Sequence, residues 1–190
     1  EGIRMDGVSS KVVRNLGYPL RREFRRIPRE RARRNLGIGS TERLLVVLGG
    51  SQGAASLNQW VKEHLEKFAS DGISVYCLTG MGHESSGVVE MTGPDSSSVP
   101  MRFVPFSDEM STVLSAADLV VSRAGAGSIS EIVRCRVPSI LVPYPFAADD
   151  HQALNASFIE QKGAAIVCPQ DQIEELLFEE AREVMFNEEF

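Results

Sequence analysis

Ser122-Arg123-Ala124-Gly125-Ala126-Gly127-Ser128-Ile129-Ser130-Glu131 follows directly on Ala117-Asp118-Leu119-Val120-Val121, and this pair of stretches decides the fold. The leading run is apolar and β-branched, the pattern of a buried parallel strand. Beyond the glycines, Ile129, Ile132 and Val133 continue an apolar face at helical spacing. The order is strand, glycine-rich turn, helix, and such a junction suits an anion. The first N–H groups of a helix have no partner inside it, and the helix dipole adds about half a positive charge at that end. Gly125 and Gly127 carry no β-carbon, so a phosphate can approach the backbone closely. No lysine follows in P-loop spacing, which excludes a nucleoside-triphosphatase loop.

Glu131 has two readings. Ser128-x-x-Glu131 has the spacing of a capping box, with the carboxylate folded back on the Ser128 N–H. Alternatively, Glu131 accepts hydrogen bonds from a ribose diol, as acidic residues do in dinucleotide sites. Spacing alone slightly favours the cap.

The same alternation extends outward in both directions. Leu44–Leu48 is the clearest strand and opens into Gly49-Gly50-Ser51-Gln52-Gly53-Ala54, a second strand–glycine–helix junction. The following helix carries Leu57, Trp60, Val61, Leu65 and Phe68 on one face, a core stripe with His64 beside it as a structural residue. Ile73–Leu78 is the next strand. Residues 81–100, rich in Gly and Ser, read as a mobile loop with one short helix, and His83 within them as solvent-facing. Met101–Val104 is a short strand, after which Ser107 reads as the N-cap of a helix carrying Met110, Val113, Leu114 and Ala117. Ser139–Val142 is another buried strand. Asp149 reads as the N-cap of a helix that begins at Asp149-Asp150-His151-Gln152, and the spacing of these side chains argues against a metal site. Ala164–Val167 is a last strand and 172–187 an acidic amphipathic helix. Upstream, Lys11-Val12-Val13 is a strand candidate, Tyr18-Pro19 a turn, and Pro28–Leu36 a helix closed by Gly37.

Strands alternating with helices predict an α/β fold, a Rossmann-like parallel sheet with helices on both faces. Residues 1–43 read as a connector and basic leading segment, and 44–190 as the sheet domain. Ligands bind such sheets at the carboxyl ends of the strands. That rule sets residues 49–54, Ser107, Ala126–Ser128 and His151–Gln152 along one rim.

Composition narrows the partners. The 190 residues are 43% hydrophobic, enough for a core. Net charge is −6, split into +7 through Arg43 and −13 beyond it. The acidic body argues against nucleic acid. The arginine-rich head offers an anionic membrane surface as a partner, or is a solvated connector. Cys77, Cys135 and Cys168 are far apart and read as reduced, buried thiols of a cytoplasmic protein. No run approaches the ~18 apolar residues of a membrane span, and no signal peptide is expected.

Three motifs in order, Gly49-Gly50-Ser51-Gln52-Gly53, Ser122-Arg123-Ala124-Gly125-Ala126 with Ser130-Glu131, and Pro143-Tyr144-Pro145 followed by Asp150-His151-Gln152 and Asn155-Ala156, resemble the MurG family. These are UDP-N-acetylglucosamine–lipid I N-acetylglucosaminyltransferases of peptidoglycan synthesis, with a GT-B fold of two Rossmann-like domains. The resemblance covers about Gly17 to Cys168 and implies the C-terminal, donor-binding half of that fold, with the acceptor domain and its general base outside this chain. The function implied is inverting transfer of N-acetylglucosamine from UDP-GlcNAc to a lipid-linked acceptor, forming lipid II. The protein would be peripheral on the inner face of the cell membrane, with no cofactor beyond the donor substrate and no metal.

Carried over by position, the resemblance implies that Ser51 and Gln52 lie by the diphosphate and that the Ser107 backbone reads the uracil edge. The amides of Ala126, Gly127 and Ser128 would hold the α-phosphate, and Glu131 would bind the ribose hydroxyls. His151 and Gln152 would bind the transferred sugar, and Arg21 would lie near the nucleotide. The family's Gly-Asn-Pro is Gly17-Tyr18-Pro19 here, a departure at the turn that carries Arg21. The rival readings are another GT-B enzyme, such as a diacylglycerol glycosyltransferase or a UDP-sugar 2-epimerase, or a nucleotide-sugar-binding module without catalysis.

Overall fold

Each apolar run predicted as a strand within residues 44–142 pairs into a single sheet. The computed structural model describes residues 18–21, 24–49, 54–81 and 86–187. The Lys11–Val13 strand candidate, Ser51, Gln52 and His83 lie outside them. The strands are β1 (Arg43–Leu48), β2 (Ile73–Leu78), β3 (Gly87–Thr92), β4 (Ser98–Val104), β5 (Leu119–Ser122), β6 (Ser139–Leu141) and β7 (Ile166–Val167). The helices are α1 (Arg29–Leu36), α2 (Ala55–Glu63), α3 (Leu65–Ser70), α4 (Met110–Ala116), α5 (Ala126–Cys135), α6 (His151–Glu160) and α7 (Phe178–Phe186). Strand order is β3-β4-β2-β1-β5-β6-β7. From β1 the chain winds outward to β2 and β4, then crosses back to β5 on the other side of β1, which sets the topological switch point between β1 and β5.

The strand runs are apolar throughout because both faces are covered. Leu45 and Val47 join Trp60, Val61, Phe68, Leu177 and Phe178 in one core. Leu44, Val46 and Leu48 face the opposite way, onto Ala32, Val113, Leu114, Ile129 and Ile132. Each fully buried side chain of this size contributes about 1.5–3 kcal/mol. The predicted α1 forms as expected, with Pro28 before it and Gly37 in the left-handed conformation after it (φ 67°).

Several expectations are corrected. Residues 81–100 are not simply a loop with a short helix: Gly87–Thr92 is a strand, antiparallel to β4 from Gly87↔Phe103 to Thr92↔Ser98, with a short 3₁₀ turn at Pro94–Ser96 between them. The sheet is therefore mixed, with six parallel strands and one antiparallel edge. The helix after β1 breaks at His64, whose Nδ1 bonds the Trp60 carbonyl at 2.9 Å and whose ring stacks on Phe178. That burial makes His64 structural, as read from sequence. The acidic C-terminal helix is segmented into a 3₁₀ turn (Gln170–Gln172), one π-helical turn (Ile173–Leu177) and α7. Asp149 is no N-cap: α6 begins at His151 after Asp149 and Asp150, both in positive φ and making no side-chain cap.

Candidate functional site

The carboxyl edge of the sheet at β1 and β5 has the features of an anion site. β5 ends at Ser122, Gly125 is extended, and α5 starts at Ala126 with no side-chain cap. The first amide of this helix to bond is Ile129, to the Gly125 carbonyl at 3.0 Å. Among the described residues, the amides of Ala126, Gly127 and Ser128 make no hydrogen bond. A β-carbon on Gly125 would meet nothing within 4 Å, so the space above the turn is open.

This geometry removes the capping box. A capping serine must stand just before the helix, and here Gly125 occupies that position while Ser128 is the third helical residue. Glu131 is thereby released from the role that spacing favoured. Its carboxyl is half-buried and makes no hydrogen bond or ion pair among the described residues. Burial pushes it above the ordinary carboxylate range, and the positive charge of Arg21 pulls the other way.

Arg21, Ser107, Ser128 and Glu131 line one cavity of about 270 Å³, with Leu48, Leu78 and Met110 as its apolar floor. Ser107 Oγ accepts the Glu109 N–H at 3.2 Å in a local turn, and α4 starts only at Met110, so Ser107 does not cap the helix directly. The hydroxyl only accepts there and keeps its own proton to donate, so Ser107 can offer a ligand its O–H as well as its backbone.

His151 and Gln152 are not in that cavity; they sit at the start of α6, farther along the same edge. His151 Nδ1 lies 2.6 Å from the Ala148 carbonyl, so the proton is on Nδ1 and Nε2 is left to accept. Gln152 Oε1 accepts the Tyr144 N–H at 3.0 Å, which leaves its NH₂ to donate. Asn155 Nδ2 donates to the Ala124 carbonyl at 3.1 Å and ties α6 to the glycine turn.

Two positioning residues escaped the sequence reading of roles. Asn155 is one. The other is Arg123, whose buried guanidinium donates to the Val142 and Pro143 carbonyls, Ser56 Oγ and Gln170 Oε1 at 2.6–3.3 Å. It joins the ends of β5 and β6 to the start of α2. With no carboxylate among those acceptors, desolvation lowers its pKa from the usual arginine value. Its one sequence cue was its place directly after a buried strand.

Among the described residues no three His, Cys, Asp or Glu side chains gather as metal ligands would. The three cysteines are buried thiols in no disulfide, and burial pushes that of Cys168 up to about 11. No helix of the described residues is long and apolar enough to cross a membrane.

Comparisons with known proteins agree on one family. The model of the glycosyltransferase family 28 C-terminal domain matches residues 44–190. The chain is 44% identical over 188 residues to a UDP-N-acetylglucosamine–N-acetylmuramyl-(pentapeptide) pyrophosphoryl-undecaprenol N-acetylglucosamine transferase of Opitutus terrae, covering 99% of this chain and 50% of that one. It is 37% identical to the protein of the same name from Acetivibrio thermocellus, covering 90% of this chain and 46% of the relative. The chain thus spans about half the length of these relatives. In structure it is similar to MurG of Acinetobacter baumannii, with a TM-score of 0.62 and 25% identity over 83% of this chain and 45% of that one. The mixed sheet, the family model and these likenesses agree: the chain belongs to glycosyltransferase family 28 through its C-terminal domain, and the resemblance to MurG drawn from its three motifs is borne out.

Proposed function

We propose that this chain carries the UDP-N-acetylglucosamine site of an inverting N-acetylglucosaminyltransferase that glycosylates lipid I to lipid II. The observation that carries the proposal is the set of three amides at Ala126–Ser128 that have no partner among the described residues, beside a half-buried Glu131 carboxyl that none of those residues bonds. Free donors and a free acceptor, one helical turn apart, match a phosphate next to a ribose diol. The Ser107 backbone, across the cavity, is matched to the uracil edge. His151 Nε2 and the Gln152 amide supply an acceptor and a donor for sugar hydroxyls. Ser51 and Gln52, which lie outside the described residues, are assigned to the diphosphate by the resemblance alone.

In the reaction, the acceptor's 4-hydroxyl attacks the anomeric carbon and UDP leaves from the opposite face. Negative charge grows on the departing diphosphate. Amides already fixed toward that charge need no reorganisation as it develops; removing one such donor in other enzymes costs about 2.7–4 kcal/mol in the barrier. The base that takes the acceptor's proton belongs to the half of the relatives that this chain does not span. The acceptor's lipid carrier would hold the enzyme at the cytoplasmic face of the membrane as a peripheral protein.

Calorimetric titration with UDP tests the site. Wild-type chain is expected to bind, and Glu131→Ala to lose about ten-fold or more, the contribution of hydrogen bonds to a charged group. Equal affinity in the two would remove Glu131 from the site. The chain on its own is expected to bind the donor and transfer nothing, and lipid II formed by it would overturn the location of the base.

A further inference from the structure

We propose that Tyr18 is a diphosphate-binding residue of this site, its phenolic hydroxyl donating to a phosphate oxygen held on the α5 amides. The proposal rests on the donor-site reading above and adds to it a residue at which this chain departs from its family's motif.

The segment Tyr18–Arg21 crosses the start of α5. A β-carbon placed on Gly127 would stand 3.6 Å from both Cε1 and Oη of Tyr18 and 3.8 Å from Cζ. The hydroxyl-bearing edge of the ring therefore lies beside the Cα of Gly127, the residue that carries the middle one of the three amides without a partner among the described residues. Three residues on, Arg21 lines the cavity, and its charge reaches Glu131. The placement is not incidental, because the segment is pinned. Leu20 packs on the core that also holds Phe24, and the Phe24 amide closes a turn on the Arg21 carbonyl at 2.9 Å.

Tyr18 is 56% exposed and its hydroxyl has no hydrogen-bond partner among the described residues. It does not seal the turn; it offers one more donor beside it. A phenol donating to an anion forms a short, charge-assisted bond, and a tyrosine loses little side-chain entropy on binding because only two torsions must be fixed. The family's asparagine at this position is shorter, so a tyrosine reaches farther over the helix end. The ring could instead serve the nucleoside by stacking, and that alternative predicts a different ligand dependence.

The test is calorimetric titration of wild type, Tyr18→Phe and Tyr18→Asn with UDP and with uridine, alongside thermal unfolding. Tyr18→Phe keeps the ring and removes only the hydroxyl. It is expected to weaken UDP by about five-fold, leave uridine within two-fold and leave the unfolding temperature unchanged. Tyr18→Asn, which retains a donor, is expected to fall between. UDP affinity equal to wild type in Tyr18→Phe overturns the proposal, as does an equal loss for uridine and UDP. Wild type that fails to bind UDP overturns the donor site itself; wild type that binds UDP, with Glu131→Ala weakened and Tyr18→Phe not, overturns only the role of Tyr18.

Discussion

The two ends of the central strands treat charge in opposite ways. At the amino end, Asp118 accepts the Leu44 N–H at 2.8 Å and pairs with Arg33 at 3.1 Å and with Arg29. Arg33 is buried and also donates to the carbonyls of Gly39, Ala116 and Glu42. Each charge there is occupied by its neighbours. At the carboxyl end, three amides, one carboxyl and one phenol have no protein partner among the described residues, and Arg21 lies exposed across them. The satisfied network holds the fold, whereas the unsatisfied one is what the proposed ligand would occupy. Substitutions at the two ends should therefore separate stability from affinity.

The largest effect is expected from Asp118→Ala. It leaves Arg33 buried without its anionic partner and the Leu44 amide without an acceptor. Breaking a buried pair in this way costs about 3–5 kcal/mol. Urea unfolding should show that loss, while UDP affinity, measured where the variant is still folded, stays at the wild-type value. A matching loss of affinity would mean that the two ends are coupled through β1 and β5.

Glu131→Gln is the converse. The Glu131 pKa is raised on folding, mainly by burial. A carboxyl with a raised folded pKa stabilises below its unfolded pKa, and that contribution is lost as pH rises through the folded value. At neutral pH the ionised group therefore opposes folding, and removing its charge should raise the unfolding temperature slightly. UDP affinity should fall about ten-fold. Stability gained where function is lost is the mark of a site kept at the fold's expense.

This division was only partly legible in the sequence. β1, β2 and β5 announced themselves because strands buried on both faces must be continuously apolar. β3 did not, because an edge strand with one neighbour needs no such run: Val88 and Val89 are largely exposed, and its Gly- and Ser-rich flanks look like a loop. The arginines were harder still. Spacing cannot tell Arg33, locked among carbonyls, from Arg21, left over a cavity, since the acceptors that separate them come from residues as distant as Asp118 and Ala116. Ser128 shows the same limit at short range. Its capping-box spacing with Glu131 was real, but the helix starts three residues too early for Ser128 to cap it.

Gly127→Ala sharpens the comparison without touching a charge. The new methyl would lie at ordinary contact distance from the Tyr18 ring, so the fold accommodates it. Alanine is also the better helix residue, which adds up to about 1 kcal/mol of stability. On the proposed site, the methyl would stand beside the amides and crowd the approach of a phosphate to them. The expected result is unchanged or higher stability with UDP affinity several-fold lower, read by urea unfolding and calorimetry on the same sample. Lower stability with intact affinity would mean that the glycine serves the helix start and not a ligand.

The smallest effect is expected with pH. If Glu131 binds the ribose as a carboxylate, protonating it removes the acceptor. Because its pKa is raised, that loss begins at higher pH than for an ordinary surface carboxylate. Arg21 moderates the shift, and Arg21→Gln should move the onset higher still. Uridine is the ligand of choice, because it carries no phosphate that titrates in the same range. Its affinity should decline on acidification in wild type, earlier in Arg21→Gln, and stay flat in Glu131→Gln. An identical decline in all three would assign the pH dependence to another group and leave Glu131 outside the ribose site.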